Sequence, residues 1–509
     1  MERSGAGGER YDVIVVGGGN AALCAALAAE EEGARVLVLE RAPVPERGGN
    51  SAYTDGLMRV VYDGVDDIKA LCPDLTEAEI AQTDFGAYTE SDFFDDLGRI
   101  TQYRTDPDLS EILVTKSRET LRWMQSKGVR FLPNYGRQAF KIDGKFKFWG
   151  GATVAVAAGG PGLIEALYAA AEKRGVAVRC EAWVQKLIAE EGLVTGVEAR
   201  IDGKMHRFDA PAVVLACGGF EANAEWRTKY LGPGWDLAKV RGTRFNTGDG
   251  LAMALCLGAM PWGNWSGCHA VAWERNATDF GDIHLTPNFQ RNSYQVGIVV
   301  NAMGRRFIDE GADFRNYTYA KYGQAVLAQP GQAAWQIFDG KVLDLLRSEY
   351  RSRYSTKVRA DTLEELAAKL EDVDGPQLLR TIHEYNAAVQ TDIPFNPNIR
   401  DGRGAPGLAV PRTHWANRLD TPPFEAYAVT CGVTFTFGGV RIDTSGRVLD
   451  TGSAPIPGLY AAGEMVGGVF YFNYPGASGL TSGAVFGKLA GGNAARHARA
   501  NAGGMKAAS

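Results

Sequence analysis

The stretch "YDVIVVGGGNAALCAALAAEEEGARVLVLER", residues 11–41, decides the fold of this chain. Residues 13–16 are apolar and mostly β-branched, which is typical of a buried parallel strand. Gly17, Gly19 and Ala22 then follow a G-x-G-x-x-A pattern at the start of an apolar helix. A strand, a glycine turn and a helix in this order predict the first unit of a doubly wound α/β domain.

A second apolar strand, residues 36–39, follows the helix and leads directly into Glu40. Gly17 permits the tight turn, Gly19 lets a pyrophosphate approach the helix N-terminus, and Ala22 allows the helix to pack closely on the strand. The carboxylate of Glu40 is placed to accept hydrogen bonds from a ribose. The unit therefore predicts a dinucleotide site whose ligands are Gly17, Gly19, Asn20, Ala21, Glu40 and Arg41.

Three further glycine turns recur along the chain. They are "RGGNSAYTDG" at residues 47–56, "AVVLACGGFEAN" at 212–223 and "IPGLYAAGEMVGG" at 456–468. Turns this far apart indicate one long cofactor that threads a discontinuous domain, which favours FAD over NAD. The additional predicted cofactor residues in these turns are Gly48, Gly49, Asn50, Ser51, Gly463 and Glu464.

Bulk composition excludes several classes of function. The chain has 509 residues, a formal net charge of −6 and a pI near 5.7, which argues against nucleic-acid binding. Its seven cysteines are dispersed without a CxxC motif, so we expect no zinc, iron–sulfur or haem site and a reducing compartment. No leader and no apolar run of about 18 residues stand out, so we expect a cytoplasmic protein without a membrane span.

These segments, together with "TRFNTGDGLAMALCLGA" at residues 243–259, resemble the flavoprotein superfamily of fumarate reductases, succinate dehydrogenase flavoprotein subunits and 3-ketosteroid dehydrogenases. The resemblance extends over residues 10–497. Within the superfamily, "SGCHAVAWERNATDFGD" and "GRRFIDEGADFRNYTYAKYG" are most similar to proteins classed as tricarballylate dehydrogenases.

The resemblance implies an α/β fold in which a Rossmann-like, glutathione-reductase-type FAD-binding domain carries an inserted α+β capping domain. The FAD-binding domain is expected over residues 9–265 and 412–500, the capping domain over 266–411, and a flexible tail over 501–509. A β-hairpin is expected to cover the adenine through the backbone of Val184. The other implied cofactor residues are Asp249, Ser478, Gly479 and Leu480. Because no histidine follows the second glycine turn, we expect the FAD to be non-covalent.

The chain departs from fumarate reductases at three positions. An ungapped alignment puts Phe314 where they carry a proton-donating arginine and Tyr474 where they carry a substrate-binding arginine. Phe435 takes the position of a carboxylate-binding histidine. Fumarate or succinate is therefore not the expected substrate.

Five residues are predicted to carry the chemistry: Tyr474, His269, Arg315, Tyr317 and Tyr319. Tyr474 matches the Tyr-Pro-Gly triplet of ketosteroid dehydrogenases, in which the tyrosine polarises a substrate carbonyl; the alternative is an apolar wall. His269 matches a substrate histidine of fumarate reductases; the alternative is a core histidine whose hydrogen bonds are satisfied. Arg315 follows the lost arginine, and a bulge would bring it into the site; the alternative is a surface salt bridge. Tyr317 and Tyr319 share this segment with Tyr322. A tyrosine base needs a nearby cation such as Arg315, and the alternative for each tyrosine is a structural role.

The expected function is FAD-dependent desaturation of a C–C bond next to a carbonyl or carboxylate, with hydride passing to the flavin and a proton to a side chain. The resemblance implies a tricarballylate-type polycarboxylate, whereas the aromatic replacements favour a less anionic, keto-bearing substrate. Alternatives are reduction of an activated C=C bond, ketosteroid-type dehydrogenation, and a non-catalytic electron-transfer subunit. We expect a separate electron acceptor, either a quinone or a redox protein.

Overall fold

The structure is a computed structural model that describes residues 9–507, with the side chains of Arg137 and of residues 502–507 left undescribed. Its helices are α1 Asn20–Glu31, α2 Val65–Leu71, α3 Glu77–Ala81, α4 Glu90–Ile100, α5 Pro107–Ser126, α6 Tyr135–Gln138, α7 Gly159–Lys173, α8 Ala224–Trp226, α9 Asp249–Cys256, α10 Tyr319–Leu327, α11 Leu363–Lys369, α12 Gly375–Ala388 and α13 Ser478–Ala507. Its strands are β1 Glu9–Arg10, β2 Val13–Val16, β3 Val36–Leu39, β4 Leu57–Arg59, β5 Thr83–Asp84, β6 Phe131–Pro133, β7 Ala139–Ile142, β8 Lys145–Phe148, β9 Thr153–Val156, β10 Ala177–Arg179, β11 Trp183–Glu190, β12 Leu193–Ile201, β13 Lys204–Asp209, β14 Ala212–Leu215, β15 Lys239–Val240, β16 Pro261–Glu274, β17 Ile298–Val300, β18 Ala333–Phe338, β19 Lys357–Ala360, β20 Phe424–Val440, β21 Arg447–Leu449 and β22 Pro455–Ala461.

The first large sheet has the strand order β10-β3-β2-β14-β22-β21. Its first five strands pair in parallel, and β21 pairs antiparallel at the edge. Every residue of β2, β3 and β14 is buried, as expected for parallel strands covered on both faces. Their common direction brings the glycine turns after β2 and β14 and Glu40 after β3 to one edge of the sheet.

Helix α13 packs against α1 at very short range. A Cβ atom on Gly487 would lie 2.4 Å from the Ala21 carbonyl oxygen, and one on Gly491 would lie 2.0 Å from that of Ala25. The alanines of α1 and the glycines of α13 therefore allow the two helices to approach backbone to backbone. This contact fixes the start of α13 next to the start of α1.

A second sheet has the order β15-β20-β18-β17, with β16 and β19 also paired to β20. The long antiparallel pair of β16 and β20 forms the central part of this sheet. Helices α11 and α12 contribute Leu366, Leu378 and Ile382 to a separate apolar core on this sheet. The molecule thus has one core around the parallel sheet and another around the second sheet.

The predicted α/β class matches this architecture. The predicted boundary between residues 265 and 266 falls inside β16, and the one between 411 and 412 precedes β20, so the division into domains stays a prediction. The flexible tail predicted for residues 501–509 also stays a prediction: α13 extends through Ala507, and residues 508–509 lie outside the described part. Within residues 9–507, no helix has the length and apolar character needed to cross a membrane.

Candidate active site

One deep cavity opens along the carboxyl edge of the parallel sheet and extends to the second sheet. Most of the predicted cofactor residues line it: Gly17, Gly19, Asn20, Ala21, Glu40, Arg41, Gly49, Asn50, Ser51, Val184, Asp249, Gly463, Glu464, Gly479 and Leu480. Gly48 and Ser478 directly precede the lining residues Gly49 and Gly479 but do not line the cavity themselves. Of the predicted catalytic residues, Tyr474, His269, Arg315 and Tyr319 line the cavity and Tyr317 does not.

The glycine turn after β2 leaves space that side chains would fill. Gly17 has φ +110°, and a Cβ atom there would lie 2.4 Å from the Ala216 carbonyl oxygen. Gly19 precedes α1 and, within the described residues, provides no side-chain cap for its first N–H groups. The N–H of Asn20 reaches only the Ser51 hydroxyl, at 3.2 Å. An uncapped helix N-terminus with a bare backbone suits a pyrophosphate.

Glu40 and Arg41 form the neighbouring wall. The buried Glu40 carboxylate accepts the N–H of Ala42 at 2.7 Å, and burial raises the pKa of this group. Arg41 binds Asp249 at 2.7 Å and lies 4.3 Å above the ring of Trp183, whose indole N–H also donates to Asp249. This arrangement fixes an aromatic and charged surface beside the backbone of Val184.

Two buried carboxyl groups lie next to each other at the cavity: Glu464 lines it, and Glu221 lies behind its lining. Glu221 Oε1 accepts amide N–H groups from Asn50 and Asn246, each at 2.6 Å. Glu464 Oε1 accepts the N–H of Thr436 at 2.6 Å. Glu221 Oε2 has no donor among the described residues. A hydrogen bond between the neighbouring Glu221 and Glu464 carboxyls requires a proton on one of them. Burial, followed by the charge of Glu221, raises the pKa of Glu464 well above its usual range.

Aromatic rings enclose the other end of the cavity around His269. The imidazole stacks on Phe435 at 5.3 Å and meets the edges of Tyr474 and Tyr319 at 4.8 and 5.1 Å. The hydroxyls of Tyr474 and Tyr319 hydrogen-bond to each other. Burial, and then the neighbouring Tyr319, raise the pKa of Tyr474 well above its usual range, so its hydroxyl keeps its proton.

His269 is only 2 % exposed, and neither ring nitrogen has a hydrogen-bond partner among the described residues. Burial, and then the charge of Arg241, lower the pKa of His269 well below its usual range, so the imidazole is neutral. A buried polar group without a partner costs about 1–3 kcal/mol, and such groups are retained where a ligand satisfies them.

Two buried arginines stand on the wall beside these aromatics. Arg315 lies 5.4 Å from the ring of Tyr319 and 5.3 Å from that of Trp149, and it is not on the cap surface. Arg241 lies 4.7 Å from the ring of Trp273 and donates to the Thr434 hydroxyl at 2.9 Å. Both guanidinium groups line the cavity.

Tyr317 does not belong to this group of residues, which corrects the prediction for it. Its hydroxyl donates to Asp96 at 2.7 Å, away from the cavity lining. Burial raises its pKa, and the Asp96 carboxylate adds to the shift. Phe314, at the position of the lost arginine, likewise lies outside the lining and stacks between Trp149 and Trp415.

The sequence analysis missed Glu221, Asn246 and Arg241. Glu221 directly follows the glycine turn after β14, and a carboxylate at that point was a usable signal. Asn246 and Arg241 stand in the segment before α9, where nothing local distinguishes them from other polar residues. Their role depends on neighbours supplied by β20 and by the turn at Asn50.

The residues present fit FAD. The uncapped start of α1 suits the pyrophosphate, Glu40 the adenosine ribose, and the Trp183 wall the adenine. The cavity then continues past Glu464 to the aromatic end, as an elongated cofactor requires.

Comparison with known proteins agrees with this fit. The family described as FAD binding domain matches residues 12–480. The "Fumarate reductase (cytochrome)" of Shewanella frigidimarina is 30% identical over 501 residues, covering 97% of this chain and 78% of that protein. The "3-oxosteroid 1-dehydrogenase" of Mycolicibacterium smegmatis is 27% identical over 580 residues, covering 95% and 97%.

Among solved structures, the open conformation of a flavocytochrome c3 fumarate reductase superposes with a TM-score of 0.72 at 28% identity, covering 97% of this chain and 79% of that one. This match confirms the predicted fold class. The protein is therefore an FAD-binding enzyme, an oxidoreductase acting on CH–CH or C=C groups. The chain belongs to the FAD binding domain family, within the fumarate reductase and succinate dehydrogenase flavoprotein superfamily.

Proposed function

We propose that this enzyme desaturates a C–C bond next to a carbonyl or carboxylate, and that the substrate binds at the aromatic end of the cavity. The observation that supports this placement most directly is His269, whose two buried ring nitrogens have no partner among the described residues. A substrate oxygen beside the Tyr474 and Tyr319 hydroxyls satisfies them. FAD, when bound, supplies the hydride acceptor.

Different side chains donate a hydrogen bond to the substrate, orient it and remove its proton. Tyr474 keeps its proton, so its hydroxyl donates to the substrate carbonyl oxygen and stabilises the negative charge that develops there. Neutral His269 binds the same or a neighbouring oxygen and orients the substrate. Tyr319 contacts the Tyr474 hydroxyl and lies beside the Arg315 guanidinium, and we assign it the role of taking the proton from the α-carbon.

A polycarboxylate such as tricarballylate is the finer proposal. The buried guanidinium groups of Arg241 and Arg315 on one wall support an anionic substrate. The aromatic wall of Phe435, Phe437 and Phe470 supports a keto-bearing apolar substrate instead. The fumarate reductase relatives favour a second candidate function, the reduction of an activated C=C bond by the same residues.

Electrons leave to a separate acceptor, a quinone or redox protein, in this proposal. We also place the enzyme in the cytoplasm, because its seven cysteines are dispersed and all are free thiols.

Anaerobic mixing of the oxidised holoenzyme with candidate substrates tests the function. The panel contains tricarballylate, succinate and a saturated 3-ketosteroid, and loss of flavin absorbance is measured. Bleaching by tricarballylate supports the polycarboxylate, and bleaching by the ketosteroid alone supports the keto-bearing class. If no saturated compound bleaches the flavin but unsaturated acids reoxidise the reduced enzyme, the physiological direction is reduction and desaturation is wrong.

A further inference from the structure

Tyr474 stands in a strained loop. We call residues 473–477 the Tyr474 loop; it leads into α13. Ala477 closes this loop with φ +72°, in the left-handed region that side chains other than glycine rarely adopt. A backbone held in this way persists only where its surroundings fix it, and such positions concentrate at functional sites.

Arg59, at the end of β4, makes the contacts that hold this backbone. Its main-chain N–H donates to the Ala477 carbonyl at 2.9 Å, and its Nε donates to the Gly476 carbonyl at 2.8 Å. Its own carbonyl accepts the Thr481 hydroxyl of α13 at 2.8 Å. The main chain and the side chain of Arg59 thus hydrogen-bond to two successive carbonyls, those of Gly476 and Ala477.

The guanidinium is fully buried and is anchored on its far side. Nη1 donates to the Gly150 carbonyl at 3.0 Å and lies 4.0 Å from Asp96. Burial opposes its charge, but the rings of Tyr88 and Tyr317 and the carboxylate of Asp96 raise the pKa of Arg59 above its usual value. The group is therefore a permanent cation whose planar fork has a fixed orientation.

The segment that carries Arg315 and Tyr319 holds the loop from the opposite side. The Asn316 carbonyl accepts the N–H of Gly476 at 2.9 Å, and the Tyr317 carbonyl accepts the Asn473 side chain at 2.6 Å. Tyr317 in turn donates to Asp96, next to Arg59. Arg59 and this segment therefore enclose the Tyr474 loop.

We propose that Arg59 is a positioning residue for the reaction: it holds Ala477 in its left-handed conformation and thereby keeps the Tyr474 hydroxyl against Tyr319 and His269. This proposal rests on the proposed function, in which Tyr474 donates to the substrate. It assigns Arg59 no contact with substrate or flavin, since Arg59 does not line the cavity.

Four variants of the FAD-bound enzyme test it: Arg59→Met, Arg59→Lys, Arg59→Met with Ala477→Gly, and the control Arg99→Met. Lys keeps the charge but cannot reach the Gly476 and Gly150 carbonyls together. Glycine adopts the left-handed conformation without a steric penalty, so Ala477→Gly should compensate in part for the lost Arg59 contacts. Arg99 contacts the same Asp96 and Tyr317 but, within residues 9–507, makes no hydrogen bond to the Tyr474 loop.

Stopped-flow reduction by a bleaching substrate gives a limiting rate and a substrate dissociation constant. Arg59→Met and Arg59→Lys should lower the limiting rate by roughly ten- to a hundredfold, as a displaced catalytic group does, with FAD retained. The dissociation constant should stay within about threefold, Ala477→Gly should recover part of the rate, and Arg99→Met should remain near wild type.

If Tyr474→Phe is slow while Arg59→Lys reduces at the wild-type rate, the positioning role is wrong and the proposed function stands. If Tyr474→Phe is itself normal, the proposed function fails first. Equal losses in Arg59→Met and Arg99→Met, without recovery by Ala477→Gly, would assign Arg59 to general packing and overturn the proposal. A crystal structure of the Arg59→Lys holoenzyme in which the Tyr474 hydroxyl keeps its wild-type position against Tyr319 and His269 would also overturn it.

Discussion

Single residues at the aromatic end of the cavity carry polar groups with a fixed protonation state. Burial is the largest cause that lowers the pKa of His269 and raises that of Tyr474, so the neutral imidazole and the protonated hydroxyl persist over a wider pH range than in water. Neither therefore titrates near neutral pH, and both are available as fixed hydrogen-bonding groups. Pre-set groups of this kind need no reorganisation when charge develops on a substrate.

Replacing His269 by leucine should separate stability from substrate binding. The change removes an unpartnered buried imidazole that costs about 1–3 kcal/mol, so the free energy of unfolding in urea should be unchanged or higher. Substrate affinity should fall by about three- to tenfold, for the loss of one hydrogen bond worth about 0.5–1.5 kcal/mol. His383→Leu, at an exposed position of α12, is the control. A clear loss of stability with unchanged affinity would make His269 a structural residue.

The Glu221 and Glu464 pair predicts a pH effect. Both carboxyls have a pKa raised from the usual 4.5, first by burial. The folded protein therefore keeps a proton that the unfolded chain releases above that value, and stability falls as pH rises from it towards the raised pKa. Glu221→Gln removes one acid while its amide can still donate to Glu464.

The wild type should lose stability as pH rises, and Glu221→Gln should lose less because it lacks one of the two acids. The difference in unfolding free energy, variant minus wild type, should therefore increase between about pH 5 and pH 8, by at most about 1.4 kcal/mol per pH unit. Urea unfolding at several pH values measures it, with the exposed Glu225→Gln as control. A difference that does not depend on pH would contradict a shared proton.

At the scale of the element, we propose that the turn between β2 and α1 holds the FAD pyrophosphate through its backbone. Gly17→Ala should release FAD and destabilise the fold, because a Cβ there meets the Ala216 carbonyl at 2.4 Å. Gly33→Ala is a matched control: Gly33 also has a positive φ, +82°, but nothing lies within 4 Å. Gly33→Ala should cost about 1–2 kcal/mol for the backbone alone and keep the FAD. The FAD content of each variant is measured from its flavin spectrum after gel filtration. If Gly17→Ala and Gly33→Ala lose similar amounts of FAD, the contact of the new Cβ atom with the Ala216 carbonyl is not the cause.

This unit was also what the sequence could predict, because its glycines, strands and acid lie within one short stretch. The pairing of β16 with β20 could not be predicted, since its partners are distant in the chain and no local pattern sets their register. The aromatic end combines side chains from β16, β20, α10 and the Tyr474 loop. Tyr317 was misassigned for the same reason: its spacing resembles that of Tyr319, but the backbone directs it to Asp96.

At the scale of the whole molecule, the cavity joins the two sheets. The parallel sheet supplies the end of the cavity that we propose for FAD, and the local glycine motif predicts that end. The second sheet supplies most of the aromatic end that we propose for the substrate, and no local motif predicts it. The buried Glu221 and Glu464 also come from different turns, so their contact appears only once the chain is folded.

We expect the FAD to be held without a covalent bond. Residues 48–56, where a linking histidine follows the glycine turn in succinate dehydrogenases, contain no histidine. Acid denaturation and filtration should place all the flavin in the filtrate as FAD. Flavin retained on a peptide of the denatured chain would contradict this expectation.

The central claim is that the Tyr474 hydroxyl takes part in the reaction, and Tyr474→Phe tests it most directly. The ring stays to pack on His269 and Phe435, so FAD content should be unchanged. Anaerobic stopped-flow reduction by substrate should slow by roughly 10²–10³, the usual effect of removing one donor to a developing oxyanion. Tyr471→Phe, in the same aromatic run but outside the cavity lining, should reduce at the wild-type rate. If both variants reduce within about threefold of wild type, Tyr474 only packs, and the account of the active site is wrong.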